Sequence, residues 1–249
     1  MLLPTLSPRL GVFLLLEVFL LRVLVWTAIE RRHQAYEIRH REVIWGDIAA
    51  AMLMLAILGA ANRIDSWLLI KPAIPASVMA LPFTFRFLMY WVIADFGFYW
   101  IHRLMHAPFL WRIHKWHHSP TYLYWLAGVR GSLPQQILVN VPYILAGSLL
   151  DVSSPWLGLM LTVRGGLQND WMHLNVRWGS RWLEWIIVTP RYHHVHHSDK
   201  PEHYGANLAA IFPIWDHLFG THVDPETLPE RPQFGIGETV PVARLVLGV

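Results

Sequence analysis

A repeated histidine pattern is the feature that most constrains how this chain can fold. Eight histidines form three short motifs, which are His102 and His106 in the first, His114, His117 and His118 in the second, and His193, His196 and His197 in the third. The second and third motifs share the unit H-x-x-H-H, although they stand far apart in the sequence. On a helix, spacings of three and four residues place side chains on one face, one turn above the other. Each motif is therefore predicted to present a row of imidazoles.

The residue types in these motifs indicate metal binding. Imidazole is the commonest transition-metal ligand in proteins, and a cluster of about eight or nine of them most economically means more than one metal ion. The chain contains no cysteine, which excludes iron–sulfur clusters and thiolate zinc sites. The alternative is a histidine-rich surface tract that binds metal only adventitiously. The motifs are interleaved with Trp, Tyr, Leu and Pro rather than with solvating residues, which disfavours that alternative.

At these residues the chain resembles the membrane-bound fatty acid hydroxylase superfamily, also called the sterol desaturase family. The resemblance rests on Asp95-x-x-x-Tyr99-Trp100-x-His102-Arg103-x-x-His106, on Trp111-x-x-His114-x-x-His117-His118-Ser119 and on Pro190-x-x-His193-x-x-His196-His197-Ser198. It continues through Tyr204-Gly205 to Ile214-Trp215-Asp216-x-Leu218-Phe219-Gly220-Thr221, and it covers about residues 85–222 in order. Three motifs followed by this tail make a specific match. The resemblance implies a non-haem di-iron oxygenase that acts on a lipid.

The resemblance also implies which residues form the site. The eight motif histidines correspond to metal ligands, and His173 corresponds to the single histidine that the family places between its second and third motifs. Asn169 stands one turn before His173, where relatives can have histidine or glutamine, so it is a candidate for holding a metal-bound water. His194 occupies a variable position in the third motif, and helical geometry predicts that it points away from its ligand neighbours.

Asp95 is a candidate for orienting one of the ligands. It precedes His102 by seven residues, which is two helical turns on the same face, so its carboxylate can support that imidazole without binding metal itself. The alternative is a buried acid that pairs with Arg86 or Arg103. The sequence leaves both interpretations open.

Composition places the chain among membrane proteins. Its mean hydropathy is positive, and only 15% of its residues are charged. The net charge of +3 is spread among apolar segments, which disfavours nucleic acid as a partner. We predict an all-α integral membrane protein with about four transmembrane helices or helical hairpins and a cytoplasmic histidine-rich helical cap. Residues 1–249 are predicted to form a single membrane-embedded domain.

The apolar segments suggest where the chain crosses the membrane. The candidate spans are residues 10–29, 44–61 and 83–102, followed by a hairpin over residues 133–150 and 155–173. Arginines within residues 30–42 place that loop, and with it the histidine motifs, on the cytoplasmic side. Residues 121–132 are predicted to be an interfacial aromatic stretch near the substrate entrance, and residues 176–186 an amphipathic helix on the membrane. The tail after residue 221 is predicted to be irregular.

The implied chemistry is oxidation of a membrane lipid. The resemblance implies two iron ions as cofactors and O2 as co-substrate. Hydroxylation of a fatty acyl, sterol-like or polar lipid is the leading outcome, and desaturation of a similar lipid is the alternative. Because the chain carries no haem-binding, dinucleotide-binding or ferredoxin motif, electrons must come from a separate donor of the ferredoxin or cytochrome type. The location implied is a bacterial inner membrane or the endoplasmic reticulum.

Two other classes of function stay open. A membrane zinc-dependent hydrolase would usually mix histidine with carboxylate ligands, and the chain has no H-E-x-x-H motif. A non-catalytic metal-binding or transport protein would place histidines and acids near the middle of its spans. The motifs here stand at the ends of predicted spans, which favours the oxygenase.

Overall fold

The computed structural model describes the backbone of residues 8–37, 39, 41, 43–53, 73–150 and 165–249, with side chains from residue 17 onward. Its helices are α1 (Pro8–His33), α2 (residues 43–53), α3 (Ala76–Met79), α4 (Phe83–Met105), α5 (Trp111–His118), α6 (Leu133–Ala146), α7 (residues 165–173), α8 (Pro190–His197), α9 (Ile214–Phe219) and α10 (Val242–Leu247). Within these residues, β-structure is limited to one isolated bridge between Ser198 and Phe234. The prediction of an all-α fold is therefore confirmed for this part of the chain.

Side-chain caps fix where two of the site-forming helices begin. The hydroxyl of Ser132 accepts a hydrogen bond from the backbone N–H of Gln135 at the start of α6. Thr189 caps α8 in the same way by accepting from the N–H of Tyr192. In both helices a proline follows the cap within the first turn, where no intrahelical hydrogen bond is lost. These caps set the register of Gln135 and of the third histidine motif.

Helices α4 and α6 pack closely against each other. Ala94 of α4 and Tyr143 of α6 lie in one buried cluster. Gly97 permits the close approach, because a Cβ at this position would lie 2.7 Å from the Cβ of Pro142, well inside the optimal separation of carbon atoms. The packing holds the first histidine motif, at the end of α4, in a fixed place beside α5 and α6.

The aromatic segment between α5 and α6 belongs to the core. Tyr122, Tyr124 and Trp125 are each at most 6% exposed. They pack in one cluster with Leu174 and Val176, which follow α7. The prediction of an interfacial stretch here is wrong, because these rings cover other parts of the chain and not a membrane surface.

Residues 176–186 do not form the predicted amphipathic helix. Their helical content is one 3₁₀ turn, Leu183–Trp185. Gly179 has a φ of +156°, a conformation that interrupts a helix. Val176 and Glu184 are buried in this stretch, whereas Trp182 is 83% exposed. Residues 176–186 therefore form no continuous helix, and the prediction of an amphipathic helix is wrong.

The C-terminal tail is also more ordered than predicted. Helix α10 packs against α5, and Leu245 lies in a buried cluster with Trp116. The prediction of an irregular tail is wrong for these residues, since the apolar face of a six-residue helix is enough to anchor them.

The predicted spans coincide in part with described helices. Helices α1 and α4 cover the first and third predicted spans. Residues 54–61 of the second span and residues 155–164 of the hairpin lie outside the described residues. None of the described helices combines the length and apolar composition that a membrane crossing requires.

Candidate metal centre

The three histidine motifs and His173 come together in the folded chain. Their ring nitrogens form two groups, and within each group the possible ligand atoms lie within 4.8 Å of one another. Group 1 consists of His102, His106, His114, His118 and His196. Group 2 consists of His117, His173, His193 and His197. The members of the two groups are the nine histidines predicted as ligands, and all are buried except the half-buried His106.

Helices α5 and α8 each contribute to both groups. In α5 the first and last histidines of the H-x-x-H-H unit belong to group 1 and the middle one to group 2, and in α8 the assignment is reversed. Helical geometry explains the division, because residues four apart differ by about 40° around the axis and residues three apart by about 60° in the opposite sense. The groups adjoin where the rings of His118 and His197 stack, with centroids 4.4 Å apart.

In group 1, hydrogen bonds at Nδ1 orient three of the rings. The pairs are His102 with the carbonyl oxygen of Leu208 (2.7 Å), His114 with Oε1 of Gln135 (3.0 Å) and His196 with the carbonyl oxygen of Ala206 (2.8 Å). A carbonyl oxygen only accepts, so each Nδ1 carries the proton and each Nε2 keeps its lone pair. This is the tautomer that a metal ion bound at Nε2 requires.

In group 2, two rings are held in the same tautomer. His117 donates from Nδ1 to the carbonyl oxygen of Arg130 at 3.1 Å. His173 donates from Nδ1 to the carbonyl oxygen of Asn169, one turn earlier in α7, at 2.7 Å. Both groups therefore present Nε2 lone pairs toward their centres.

The facing nitrogens fit metal ions better than they fit one another. Nε2 of His102 and Nε2 of His114 are 3.0 Å apart, yet both rings hold their proton on Nδ1, so no hydrogen bond can join them. Two lone pairs at this distance repel, and a cation between them removes the repulsion. Among the described residues of group 1, three more buried Nε2 atoms have no hydrogen-bond partner, those of His106, His118 and His196. Ligand sets made only of imidazole suit iron, zinc, copper and nickel.

Burial keeps these rings neutral. It lowers the pKa of His117 to about 4, and it holds the pKa of His118 and of His197 well below the usual value, with neighbouring imidazoles adding to the effect. Neutral imidazole is the form that binds a metal ion. Neither group therefore needs to lose a proton before it can bind metal at neutral pH.

Asp95 supports the loop that orients His102. Its carboxylate accepts hydrogen bonds from the backbone N–H groups of Ile211 and Phe212, both at 3.0 Å. These residues follow Leu208, whose carbonyl oxygen receives the Nδ1 proton of His102. The effect of Asp95 on this ligand thus runs through the backbone of the loop.

The arginines considered as partners for Asp95 bind carbonyl oxygens. Arg86 donates to the carbonyl oxygen of Leu149 at 2.7 Å. Arg103 donates to that of Phe219 at 3.1 Å and lies close to α9. Both arginines therefore tie α4 to neighbouring segments.

Asn169 and His194 lie beside the groups. The side-chain amide of Asn169 rests against Gly128, where an added Cβ would come within 2.3 Å of the amide nitrogen. Its suggested role in holding a metal-bound water stays a prediction. His194 lies outside both groups, and its Nδ1 is 3.0 Å from the hydroxyl of Tyr36, so its side chain points away from the ligands as predicted.

Sequence reasoning missed most of the residues that orient the ligands. Gln135 on α6 and the buried Asp216, which accepts from the N–H of Leu208 at 2.7 Å, were not predicted for this role. The cap that precedes Gln135 was a usable signal, since Ser132 and a following proline mark the start of a helix. Backbone carbonyl acceptors leave no trace in the pattern of side chains.

Comparisons with known proteins match the part of the chain that carries the histidine groups. The sequence profile of the fatty acid hydroxylase family matches residues 87–221. An alkylglycerol monooxygenase of Xenopus tropicalis is 31% identical over 149 residues, which cover 59% of this chain and 32% of the relative. An ornithine lipid hydroxylase of Rhizobium tropici is 36% identical over 172 residues, which cover 66% of this chain and 48% of the relative.

A third relative is a sterol enzyme. A Delta(7)-sterol 5(6)-desaturase of Aspergillus fumigatus is 31% identical over 159 residues, which cover 56% of this chain and 48% of the relative. Across these three relatives, the matched region spans between about a third and about a half of their length. No solved structure matches this chain.

Proposed function

Because this chain belongs to the fatty acid hydroxylase family, we propose that it is an O2-dependent, non-haem di-iron oxygenase that hydroxylates a C–H bond of a membrane lipid. The observation that carries the proposal is the pair of adjacent groups, one of five and one of four histidines, that converge without any carboxylate. Each group offers enough imidazoles for one iron ion. Two bound iron ions supply the reduction of O2 and the oxidising power that an unactivated C–H bond demands.

The protein's own residues hold the site rigidly and keep it dry. The Nδ1 hydrogen bonds to carbonyl oxygens lock the ring orientations, so the Nε2 atoms stay aimed at fixed points. Eight of the nine histidines are buried, and their lowered pKa values keep them unprotonated at neutral pH. A dry site also protects reactive species from water.

We propose a lipid substrate from the relatives that the chain matches. Their names specify an alkylglycerol, an ornithine lipid and a sterol, and all three are amphiphilic molecules with long hydrocarbon parts. Fatty acyl, sterol-like and polar lipids are therefore the candidate substrates. Desaturation is the second candidate reaction, and the similarity to a sterol desaturase favours it over hydrolysis.

We place the protein at a membrane, with the histidine groups on the cytoplasmic side. Large apolar side chains are exposed along α1 and α4, for example Leu24 (70%), Phe85 (60%) and Leu88 (61%). Exposed apolar surface of this extent is typical of protein that contacts lipid.

The electron donor is a separate ferredoxin or cytochrome, since no cofactor motif for electron transfer occurs in the sequence.

The chemistry of the donor set argues against the two other classes. A zinc hydrolase usually includes a carboxylate ligand and a general base beside its metal-bound water, and neither histidine group in the described residues contains an acid. A transporter must bind and release its ion readily, whereas these imidazoles are buried and locked by hydrogen bonds.

Iron content, oxygen uptake and product analysis together test the proposal. Protein purified anaerobically in mild detergent is assayed for metals, then supplied with a chemical reductant, 18O2 and total membrane lipid. We expect about two irons per chain and a lipid that gains one 18O atom. A lipid that loses two hydrogens without gaining oxygen would establish desaturation instead. Zinc binding without oxygen uptake after iron reconstitution would overturn the oxygenase.

A further inference from the structure

The rings of the two histidine groups are oriented by different parts of the chain. In group 1 the acceptors at Nδ1 are Leu208, Gln135 and Ala206, and all of them lie within residues 87–221, the region that matches the family. In group 2 the acceptors are carbonyl oxygens of Arg130 and Asn169. These residues also lie in the matched region, but the segments that carry them are bound by side chains of α1, α2 and the loop between them.

Glu30, at the end of α1, joins two of these segments. Its Oε1 accepts hydrogen bonds from the backbone N–H of Trp125 and from that of Asn175, both at 2.8 Å. Trp125 belongs to the segment that leads from α5 to Arg130, and Asn175 follows His173 by two residues. Glu30 is only 4% exposed, so one buried oxygen fixes the spacing between the two sides of group 2.

The loop after α1 strengthens the attachment at Asn175. The side chain of Asn175 accepts from the N–H of Tyr36 and donates to the carbonyl oxygen of Tyr36, both at 2.9 Å. A further backbone bond joins the N–H of Ala35 to the carbonyl oxygen of Asn175 at 2.9 Å. The residue that follows His173 by two positions is thus bound on its side chain and on its backbone.

Helix α2 binds the other side of group 2 through Arg130. The guanidinium of Arg130 pairs with Asp47 at 2.5 Å and donates to the carbonyl oxygen of Val43 at 2.8 Å. Asp47 is fully buried and also accepts from the hydroxyl of Tyr124 at 2.6 Å. The backbone of the same arginine receives the Nδ1 proton of His117. The position of this ligand therefore depends on α2.

Helix α1 also binds α7, which carries the other oriented ligand of group 2. Arg22 makes a bidentate ion pair with Asp170, with nitrogen to oxygen distances of 2.7 and 2.9 Å. Asp170 follows Asn169, the acceptor for His173. A bidentate ion pair of this kind fixes the relative orientation of its two side chains in addition to its electrostatic attraction.

We infer that Glu30, Arg22 and Asp47 are positioning residues for the metal ion of group 2, and that these three side chains set the affinity of that group while leaving group 1 unchanged. The inference rests on the proposed function only in that it takes each group to bind one metal ion. The physical basis is that partners which orient a ligand, without touching the metal, commonly change metal affinity by about 10- to 100-fold.

The direct test compares two substitutions at Glu30. Glu30→Gln keeps an oxygen that accepts both backbone N–H bonds, whereas Glu30→Leu fills the same space without an acceptor. Burial raises the pKa of Glu30 to about 7, so an uncharged acceptor resembles the protonated form that this carboxyl adopts below neutral pH. We expect the Gln variant to keep both irons and the Leu variant to lose iron from one group to a chelator about tenfold faster than the wild type.

Ligand variants identify which group is affected. In a His117→Ala background, where group 2 is already disabled, Glu30→Leu should change the rate of iron loss no further. In a His102→Ala background, only group 2 holds iron, and Glu30→Leu should accelerate its loss by the same factor as in the intact protein. Equal effects in both backgrounds, or no effect in either, would overturn the inference.

A second substitution covers the case in which Glu30→Leu does not fold. Arg22→Gln removes the ion pair between the largely buried Arg22 and the fully buried Asp170, and it should raise the rate of iron loss from group 2 in the same direction. Glu238→Gln is the matched control, because it removes the exposed ion pair to Lys115 on α5 and should leave both rates unchanged. Wild-type protein that fails to bind two irons would instead refute the proposed function, so the two failures are distinguishable.

Discussion

The two histidine groups look alike at their centres and differ in their supports. Both consist of neutral imidazoles that are buried except for the half-buried His106, and α5 and α8 contribute to each group. Group 1 is oriented by Gln135 and by carbonyl oxygens of the segment after α8. Group 2 is oriented by the segment that contains Arg130 and by α7, which α1 and α2 bind from outside the region matched by the family. The difference shows that ligands can come from short local motifs while their exact aim depends on distant segments.

The largest expected effect comes from removing one ligand of each group. His102→Ala and His117→Ala should each abolish turnover, since oxidation needs both metal ions. Each should leave the iron of the other group in place, which elemental analysis of the purified variants would show. Loss of all iron from both variants would break the comparison, because the groups would then bind metal as one unit.

Acid should destabilise the metal-free protein. The unfolded pKa of a histidine is about 6.5 and burial lowers that of His117 to about 4. The contribution of neutral His117 to the free energy of unfolding is therefore fully present above pH 6.5, and it is lost as the pH falls from 6.5 toward 4. His117 alone accounts for up to about 3 kcal/mol, at about 1.4 kcal/mol per pKa unit.

Denaturant titrations of chelator-treated protein at pH 7.5 and pH 5 measure this loss. Iron-loaded protein should resist acid better, because bound metal competes with protons for Nε2. Equal stability of the metal-free protein at the two values would contradict the account that burial keeps the histidines neutral.

Replacing Gln135 should weaken the binding of iron by group 1, just as substitutions in α1 should weaken the binding of iron by group 2. Gln135→Leu removes the acceptor for Nδ1 of His114 and leaves its tautomer unfixed. We expect iron in group 1 to be released about tenfold faster, with group 2 unchanged. Chelator competition in the His117→Ala background measures group 1 alone, and an unaltered rate there would refute the orienting role of Gln135.

The smallest effect is expected at His194, which adjoins the predicted ligands in the sequence and lies outside both groups. His194→Asn keeps a polar atom near the position of Nδ1 and so preserves most of the contact with Tyr36. Weakening the hydrogen bond between residue 194 and the hydroxyl of Tyr36 should lower the free energy of unfolding by about 1 kcal/mol. Both irons should remain. A variant that loses iron would add His194 to the ligands and change the composition of the groups.

The sequence predicts which histidines come together, because metal chemistry limits ligands to few residue types at helical spacings. His173 stands alone in the sequence and was found only through the family resemblance. The supports are harder to predict, since Asp47 and Arg130 meet only after the chain folds, and carbonyl acceptors such as Leu208 are independent of the side chain. The stretch of Tyr122 to Trp125 was misplaced because aromatic composition alone does not distinguish core from membrane interface.

Anomalous diffraction at the iron absorption edge, on crystals of the iron-loaded protein, tests the central claim most directly. The account predicts one peak among the five histidines of group 1 and a second among the four of group 2, each within bonding distance of Nε2 atoms. A single peak shared by both groups, or a peak outside them, would contradict it.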